Sequence, residues 1–131
     1  ISMLEAYANA RADRVKVVPS LGFKRYLSAV ALAHVVVGNS SSGIIEVPAF
    51  HVPTVNIGQR QRGRLAAKSV LHCEATRSSI HEALSEACSE AFQTSSCTAV
   101  NPYGQGHASQ SVVEVLAQFT GASLKTFHDL V

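Results

Sequence analysis

At 131 residues, 47% of them apolar, the chain has material for one compact domain with a hydrophobic core and too little for two. Charged residues make up only 15% and the net charge is +2, which excludes the broad basic surface of a nucleic-acid binder; the pI of about 8.6 decides nothing further. The longest apolar run, Ala29 to Gly38, is interrupted by His34 and covers about half of the roughly 20 residues a bilayer-spanning helix needs, so no membrane partner is expected.

The start carries no basic segment followed by an apolar stretch and a small-residue cleavage site, so secretion is not expected and the cytoplasm is the default. The three cysteines, Cys73, Cys88 and Cys97, are odd in number and widely spaced, and read as small core residues. Neither C-x-x-C nor H-x-x-x-H occurs, so no metal site is expected. Ile1-Ser2-Met3 runs almost directly into a helical pattern, and the expectation is a fragment of a longer protein.

Leu4 to Ala12 is alanine-rich and helix-permissive, and Asp13-Arg14 leads into Val15-Lys16-Val17-Val18, a β-branched run closed by Pro19; the pattern predicts helix, then strand. Phe23, Tyr26, Leu27, Val30 and Ala31 fall on the stripe of an amphipathic helix, with Lys24, Arg25 and Ser28 on its wet face. Val35-Val36-Val37 follows at once, a continuous apolar strand of the sort buried on both faces of a parallel sheet, and ends in Gly38-Asn39-Ser40-Ser41-Ser42-Gly43. Ile44 to Phe50 has room for one or two helical turns, kinked by Pro48. Pro53 to Ile57 reads as another strand, followed by an arginine-rich loop through Arg64 and a weaker strand at Ser69 to His72.

Ser79-Ile80-His81-Glu82 has the spacing of a capping box, with Ser79 as N-cap and Ile80, Leu84, Ala87, Cys88, Ala91 and Phe92 on one face of the helix that follows. Thr94 to Ala99 reads as a small-residue loop, and Asn101 to Gly106 is dense in turn formers. Ser111-Val112-Val113-Glu114 opens a last helix that reaches Phe119 and is ended by Gly121. Strands alternating with helices imply right-handed crossovers and an α/β, Rossmann-like, doubly wound fold with a mostly parallel sheet, one domain over residues 1–131. Ligands of such folds bind beyond the carboxyl ends of the strands, where loops run into helices.

The serine loop between Gly38 and Gly43 sits at such a place. Its N–H groups, its three hydroxyls and the dipole of the following helix suit an anion, and the flanking glycines let the main chain approach a phosphate. No lysine follows in the G-x-x-x-x-G-K pattern, so it is not a Walker P-loop. The plainer alternative is an ordinary N-cap loop with one serine serving the helix and the others facing water. Glu46, one turn on, can project toward the same crevice, where a carboxylate beside a phosphate would accept two hydrogen bonds from a ribose diol. Its plainer role is to stabilise the helix N-terminus.

The run from Gly38 to Phe50 (GNSSSGIIEVPAF), then Val52 to Gly58 (VPTVNIG), then Arg60-Gln61-Arg62-Gly63-Arg64, resembles the core of the UDP-N-acetylglucosamine 2-epimerases. Asn101-Pro102-Tyr103-Gly104-x-Gly106 is similar to a second motif of that family, in the right order, so the resemblance covers nearly the whole chain. Asn56-Ile57-Gly58 before the arginines and the tail Leu124 to Leu130 resemble the hydrolysing members.

The resemblance implies a two-lobed glycosyltransferase-B-like fold of which this chain is the C-terminal, UDP-gripping lobe, with the N-terminal lobe as its absent partner. Ser40 and Ser41 would hold the diphosphate, Ser42 and Gly43 would line the same turn, and Glu46 would take the ribose hydroxyls. Arg60 is the first candidate for a guanidinium beside the diphosphate and Arg64 the second, with Arg62 facing out; taken alone, three alternating arginines are a solvated surface loop. Gln105 stands where the family usually has an acidic residue. In the second motif, the alternative to a ligand contact is a tight turn that positions the last helix. By resemblance that helix packs back on the other lobe, which Val112, Val115, Leu116 and Phe119 would cover.

None of the six histidines has a recognisable nucleophile beside it, so no catalytic triad is expected; His34 and His72 read as packed, and His51, His81, His107 and His128 as exposed. Phe23 or Tyr26 would either sit beside the uracil or pack in the core, and the helical stripe favours the core. The catalytic residues are expected upstream of Ile1, and no cofactor is implied. The full protein is expected to eliminate UDP from UDP-N-acetylglucosamine and add water to the glucal, releasing N-acetylmannosamine for sialic-acid or related synthesis. The alternatives are a non-hydrolysing epimerase, a glycosyltransferase-B-type UDP-sugar transferase, and a UDP-binding module without catalysis. The last is the behaviour expected of these 131 residues alone. A homo-oligomer is compatible with everything above.

Overall fold

The structure, a computed structural model, describes residues 2–104 and 106–121. Three short strands, β1 (Val36–Gly38), β2 (Thr54–Ile57) and β3 (Val70–Cys73), form a parallel open sheet in the order β1-β2-β3. Val36 pairs with Thr54 and Gly38 with Asn56, while Thr54 pairs with Val70 and Ile57 with Cys73, so all three strands end on the same side.

Because side chains alternate along a strand, that register sorts the sheet into two faces. On one, Val36 joins Val30, Val47 and Val52, brought by the helix α2 (Gly22–Ala31) and the turn after β1. On the other, Val55, Ile57, Leu71 and Cys73 meet Ala83, Ala87 and Leu84 of the helix α4 (Arg77–Ala87). Helices cover both faces, which is the doubly wound α/β arrangement the element order implies.

The chain between β1 and β2 forms a one-turn helix, α3 (Ser42–Ile45), and then a 3-10 turn, Val47–Phe50. Pro48 sits in the first residues of that turn, where a missing N–H breaks no bond, and His51 leaves it at φ 58. Ile44 and Val47 are fully buried. The remaining helices are α1 (Ser2–Asn9), α5 (Glu90–Cys97) and α6 (Ala108–Gln118).

Several sequence expectations give way. Val15 to Val18 forms no strand, and Val17 and Val18 are exposed, although β1, with β2 as its only sheet neighbour among the described residues, has a free edge. Phe23 is 70% exposed despite its place on the apolar stripe of α2, because only the Tyr26–Val30 side of that helix meets the core. Thr76, not Ser79, caps α4: its backbone is extended and its hydroxyl accepts from the Ser79 N–H at 3.3 Å, which leaves Ser79 already inside the first turn. The helix then stops at Ala87, since Ser89 takes an extended conformation and caps a new helix through the Phe92 N–H (3.2 Å). The stretch read as a loop from Thr94 is therefore mostly α5.

Cys88 and Cys97 are exposed, so neither is a core residue, whereas the half-buried Cys73 packs against the core beside Val55. Burial, with the Glu74 charge adding to it, pushes the Cys73 thiol above its ordinary value. His34 and His72 are exposed rather than packed. The helix α6 starts three residues before Ser111 and ends at an extended Phe119, ahead of Gly121; none of its residues is buried. Gln105, His128 and the tail Leu124 to Leu130 lie outside the described residues. No helix among the described residues is long and apolar enough to cross a membrane.

The two candidate caps separate in a urea titration. Thr76→Ala costs about 1 kcal/mol, the worth of a lost N-cap, whereas Ser79→Ala stays within about 0.5 kcal/mol, as for an ordinary surface change. The opposite order would move the helix start to Ser79.

Candidate functional site

The loop Asn39-Ser40-Ser41 leaves the carboxyl end of β1 and turns directly into α3. It can do so because Gly43 is pressed on β2: a Cβ there would stand 2.8 Å from Thr54 Cγ2, closer than side chains tolerate. The N–H groups of Gly43 and Ile44 are used inside the turn, on the carbonyl oxygens of Ser40 (3.2 Å) and Ser41 (3.0 Å). The serine hydroxyls add to the loop's remaining N–H donors. Ser40 Oγ accepts from the Ser42 N–H at 3.3 Å and keeps its own proton to donate, and the Ser41 side chain caps nothing.

Ser42 is differently engaged. Its hydroxyl donates to Glu46 Oε2, one turn on, and its oxygen lies 2.6 Å from the Tyr26 hydroxyl of α2. Both Glu46 and Tyr26 are half-buried. Tyr26, Ser40, Ser42, Gly43 and Thr54 line a cavity of about 340 Å³ against β1. Thr54, 2% exposed, has a buried Oγ1 without a hydrogen-bond partner in that wall.

Two further segments are tied to this centre by neutral side chains. Gln61, only 4% exposed, donates from Nε2 to the Asn39 carbonyl oxygen (3.0 Å), which holds the arginine loop against the serine loop. Asn101 Nδ2 donates to the Ile45 carbonyl oxygen (2.9 Å) at the end of α3, and Tyr103 Oη donates to the Leu65 carbonyl oxygen (3.0 Å). Three sequence segments with long separations in the chain are therefore gathered around one short helix.

The arginines are placed less simply. Beyond the ends of β2 and β3 a cavity of about 280 Å³ is lined by Gln61, Arg62, Arg64, His72, Cys73 and Glu74, among others. Arg62, exposed as expected, lines that wall with Arg64, while Arg60, also exposed, does not. His72 Nδ1 lies 3.0 Å from Asn56 Nδ2, and Gln59 donates to Glu74 at 2.6 Å. Among the described residues there is no group of histidine, cysteine and carboxylate side chains arranged to hold a metal.

The sequence alone assigns Gln61 no role and points Tyr26 to the core without its hydroxyl contact. Between two arginines Gln61 looks like one more solvated loop residue, and its only distinguishing mark was a neutral amide among cations. Tyr26 lay on a helical stripe that explained it as core, and its ring does pack there; the hydroxyl at its tip was the unread signal.

Residues 1–117 match the family described as UDP-N-acetylglucosamine 2-epimerase. Over 72 residues, 55% of the chain, the sequence is 40% identical to the GDP/UDP-N,N'-diacetylbacillosamine 2-epimerase (hydrolyzing) of Campylobacter jejuni. Over 88 residues, 67% of the chain, it is 35% identical to the UDP-N-acetylglucosamine 2-epimerase of Neisseria meningitidis. Over 110 residues, 84% of the chain, it is 32% identical to the polysialic acid biosynthesis protein P7 of Escherichia coli. These matches span 19%, 23% and 28% of the relatives' own lengths, so the chain covers less than a third of each.

The contact under the serine loop is open to a direct test. Gly43→Ala loses about 1–3 kcal/mol in denaturant unfolding, the usual cost of overpacking, and Thr54→Ser in the same chain, which removes the opposing methyl, recovers part of the loss. An unchanged midpoint in the single variant would show that the two elements separate freely.

Proposed function

The chain belongs to the UDP-N-acetylglucosamine 2-epimerase family, and from that premise we propose that it is the UDP-binding, C-terminal lobe of a hydrolysing UDP-N-acetylglucosamine 2-epimerase with a glycosyltransferase-B-like fold. The observation that carries the reading is the serine loop at the end of β1 with Glu46 held beside it by Ser42. Ser40 and Ser41 offer hydroxyl donors to a diphosphate, and Glu46 Oε1 remains to accept from a ribose diol. The arginine loop, anchored on Asn39 through Gln61, brings permanent positive charge to the same end of the sheet.

In the elimination step the diphosphate gains negative charge as its bond to the sugar breaks. Donors already fixed around it stabilise that state more than the bound substrate, and this is the chain's own contribution to the reaction. Proton removal at the sugar's C2 and addition of water fall to the other lobe. The hydrolysing subtype is supported by the name of the Campylobacter relative. The name of the Neisseria relative specifies no hydrolysis, which keeps the non-hydrolysing reading as the alternative.

Titration calorimetry with UDP tests the binding reading. The chain binds UDP, and Glu46→Ala and Ser41→Ala each weaken binding about tenfold or more, as expected when a charge-assisted hydrogen bond is lost. Undiminished affinity in both variants would place the nucleotide elsewhere, and sugar turnover by these 131 residues alone would overturn the division of labour. For the whole protein, free N-acetylmannosamine plus UDP marks the hydrolysing reaction and UDP-N-acetylmannosamine the alternative.

A further inference from the structure

We propose that Tyr26 and Ser42 are positioning residues for Glu46: a one-way chain of hydrogen bonds from the phenol through the serine sets the carboxylate for a ribose diol, and Ser42 serves it instead of the diphosphate. The inference rests on the reading of Glu46 as the ribose-binding group.

The direction of the chain follows from the chemistry of its members. An ionised carboxylate has only acceptors, so the Ser42 proton must go to Glu46 Oε2. With that proton committed, Ser42 Oγ can only accept at its contact with Tyr26, so the phenol must donate across the 2.6 Å separation. One arrangement of protons satisfies both contacts. It leaves Ser42 without a proton for a phosphate oxygen, which separates it from Ser40 and Ser41 although the three are consecutive in sequence.

The chain is also well anchored. Ser42 and Glu46 are four residues apart, which puts them on one side of the turn. The ring of Tyr26 packs against the cluster of Val30, Val47 and Val52, so the phenol is delivered by a buried framework and not by a flexible side chain. A glutamate at the end of a one-turn helix would otherwise lose rotamer freedom on meeting its ligand; held in advance by one oxygen, it has less to lose. Its other oxygen makes no hydrogen bond among the described residues, which leaves it to the diol.

The test compares UDP with 2',3'-dideoxyuridine diphosphate on the intact protein by calorimetry, since the ratio of the two affinities reports diol recognition alone. Tyr26→Phe keeps the packed ring and lowers UDP affinity about three- to tenfold, the worth of one neutral hydrogen bond, with the dideoxy ligand unaffected. Ser42→Ala shrinks the ratio at least as far, and Ser42→Thr, which keeps the hydroxyl, restores it. If Glu46→Gln abolishes the preference for UDP while Tyr26→Phe and Ser42→Ala retain it, the positioning role is wrong and the ribose reading stands. A Ser42→Ala variant that weakens both ligands equally would make Ser42 a diphosphate contact and overturn the proposal. Should Glu46→Gln itself keep the wild-type ratio, the ribose reading fails and takes the proposal with it.

Discussion

The close approach of Gly43 to Thr54 is the constraint on which the site depends. With no side chain at residue 43, the start of α3 can lie on the central strand, and a single methyl there would meet Thr54 Cγ2 at 2.8 Å. From that contact the rest of the segment is aimed: Ile44 and Val47 go fully into the interior, and the serines are left at the rim of the sheet. Parallel pairing then does the remaining work, because strands running the same way end together and bring their outgoing loops to one edge.

Holding those loops together falls to neutral groups. Gln61 reaches the Asn39 carbonyl, Asn101 the Ile45 carbonyl and Tyr103 the Leu65 carbonyl. Amides and a phenol suit this task at the site proposed for an anion. A lysine or arginine in the same places would commit a positive charge to the framework, whereas an amide or a phenol satisfies a carbonyl without adding charge. Gln61 shows the economy of the arrangement: it lies between two arginines, is itself buried, and its hydrogen bond fixes where both of them emerge.

Much of the fold was legible in the sequence where a local pattern and a tertiary need coincide. The valine run at Val35 to Val37 and the segment Pro53 to Ile57 led to β1 and β2, and the helical period at Phe23 to Ala31 became α2, but β1 is not buried on both faces as expected: Val37 is 45% exposed on this edge strand. Val15 to Val18 has the same β-branched chemistry yet pairs with no strand among the described residues, so propensity alone does not make a ladder. The helix ends failed for a related reason: in a region rich in serine and threonine several residues can cap, and the choice of Thr76 and Ser89 was set by which backbones are free to extend. The candidate site was readable as a list of motifs but not as an arrangement. Nothing local tells Ser42 from Ser40 and Ser41, since what separates them is a phenol sixteen residues away along the chain.

That separation bears on a problem any nucleotide site with a ribose-binding carboxylate must solve. The carboxylate and the diphosphate repel each other, and in the lowered dielectric of a closed site the repulsion grows. On the proposed reading the two lie at opposite ends of one turn of helix: Ser40 and Ser41 precede α3, while Glu46 follows its last residue. Ser42 stands between them with its proton turned toward the carboxylate. A hydrogen bond donated to Glu46 offsets part of its charge on the side nearer the serine loop, and it does so without a cation that would compete for the diphosphate. On the proposed reading, the positive charge of the arginine loop is then left to the leaving group as the bond to the sugar breaks.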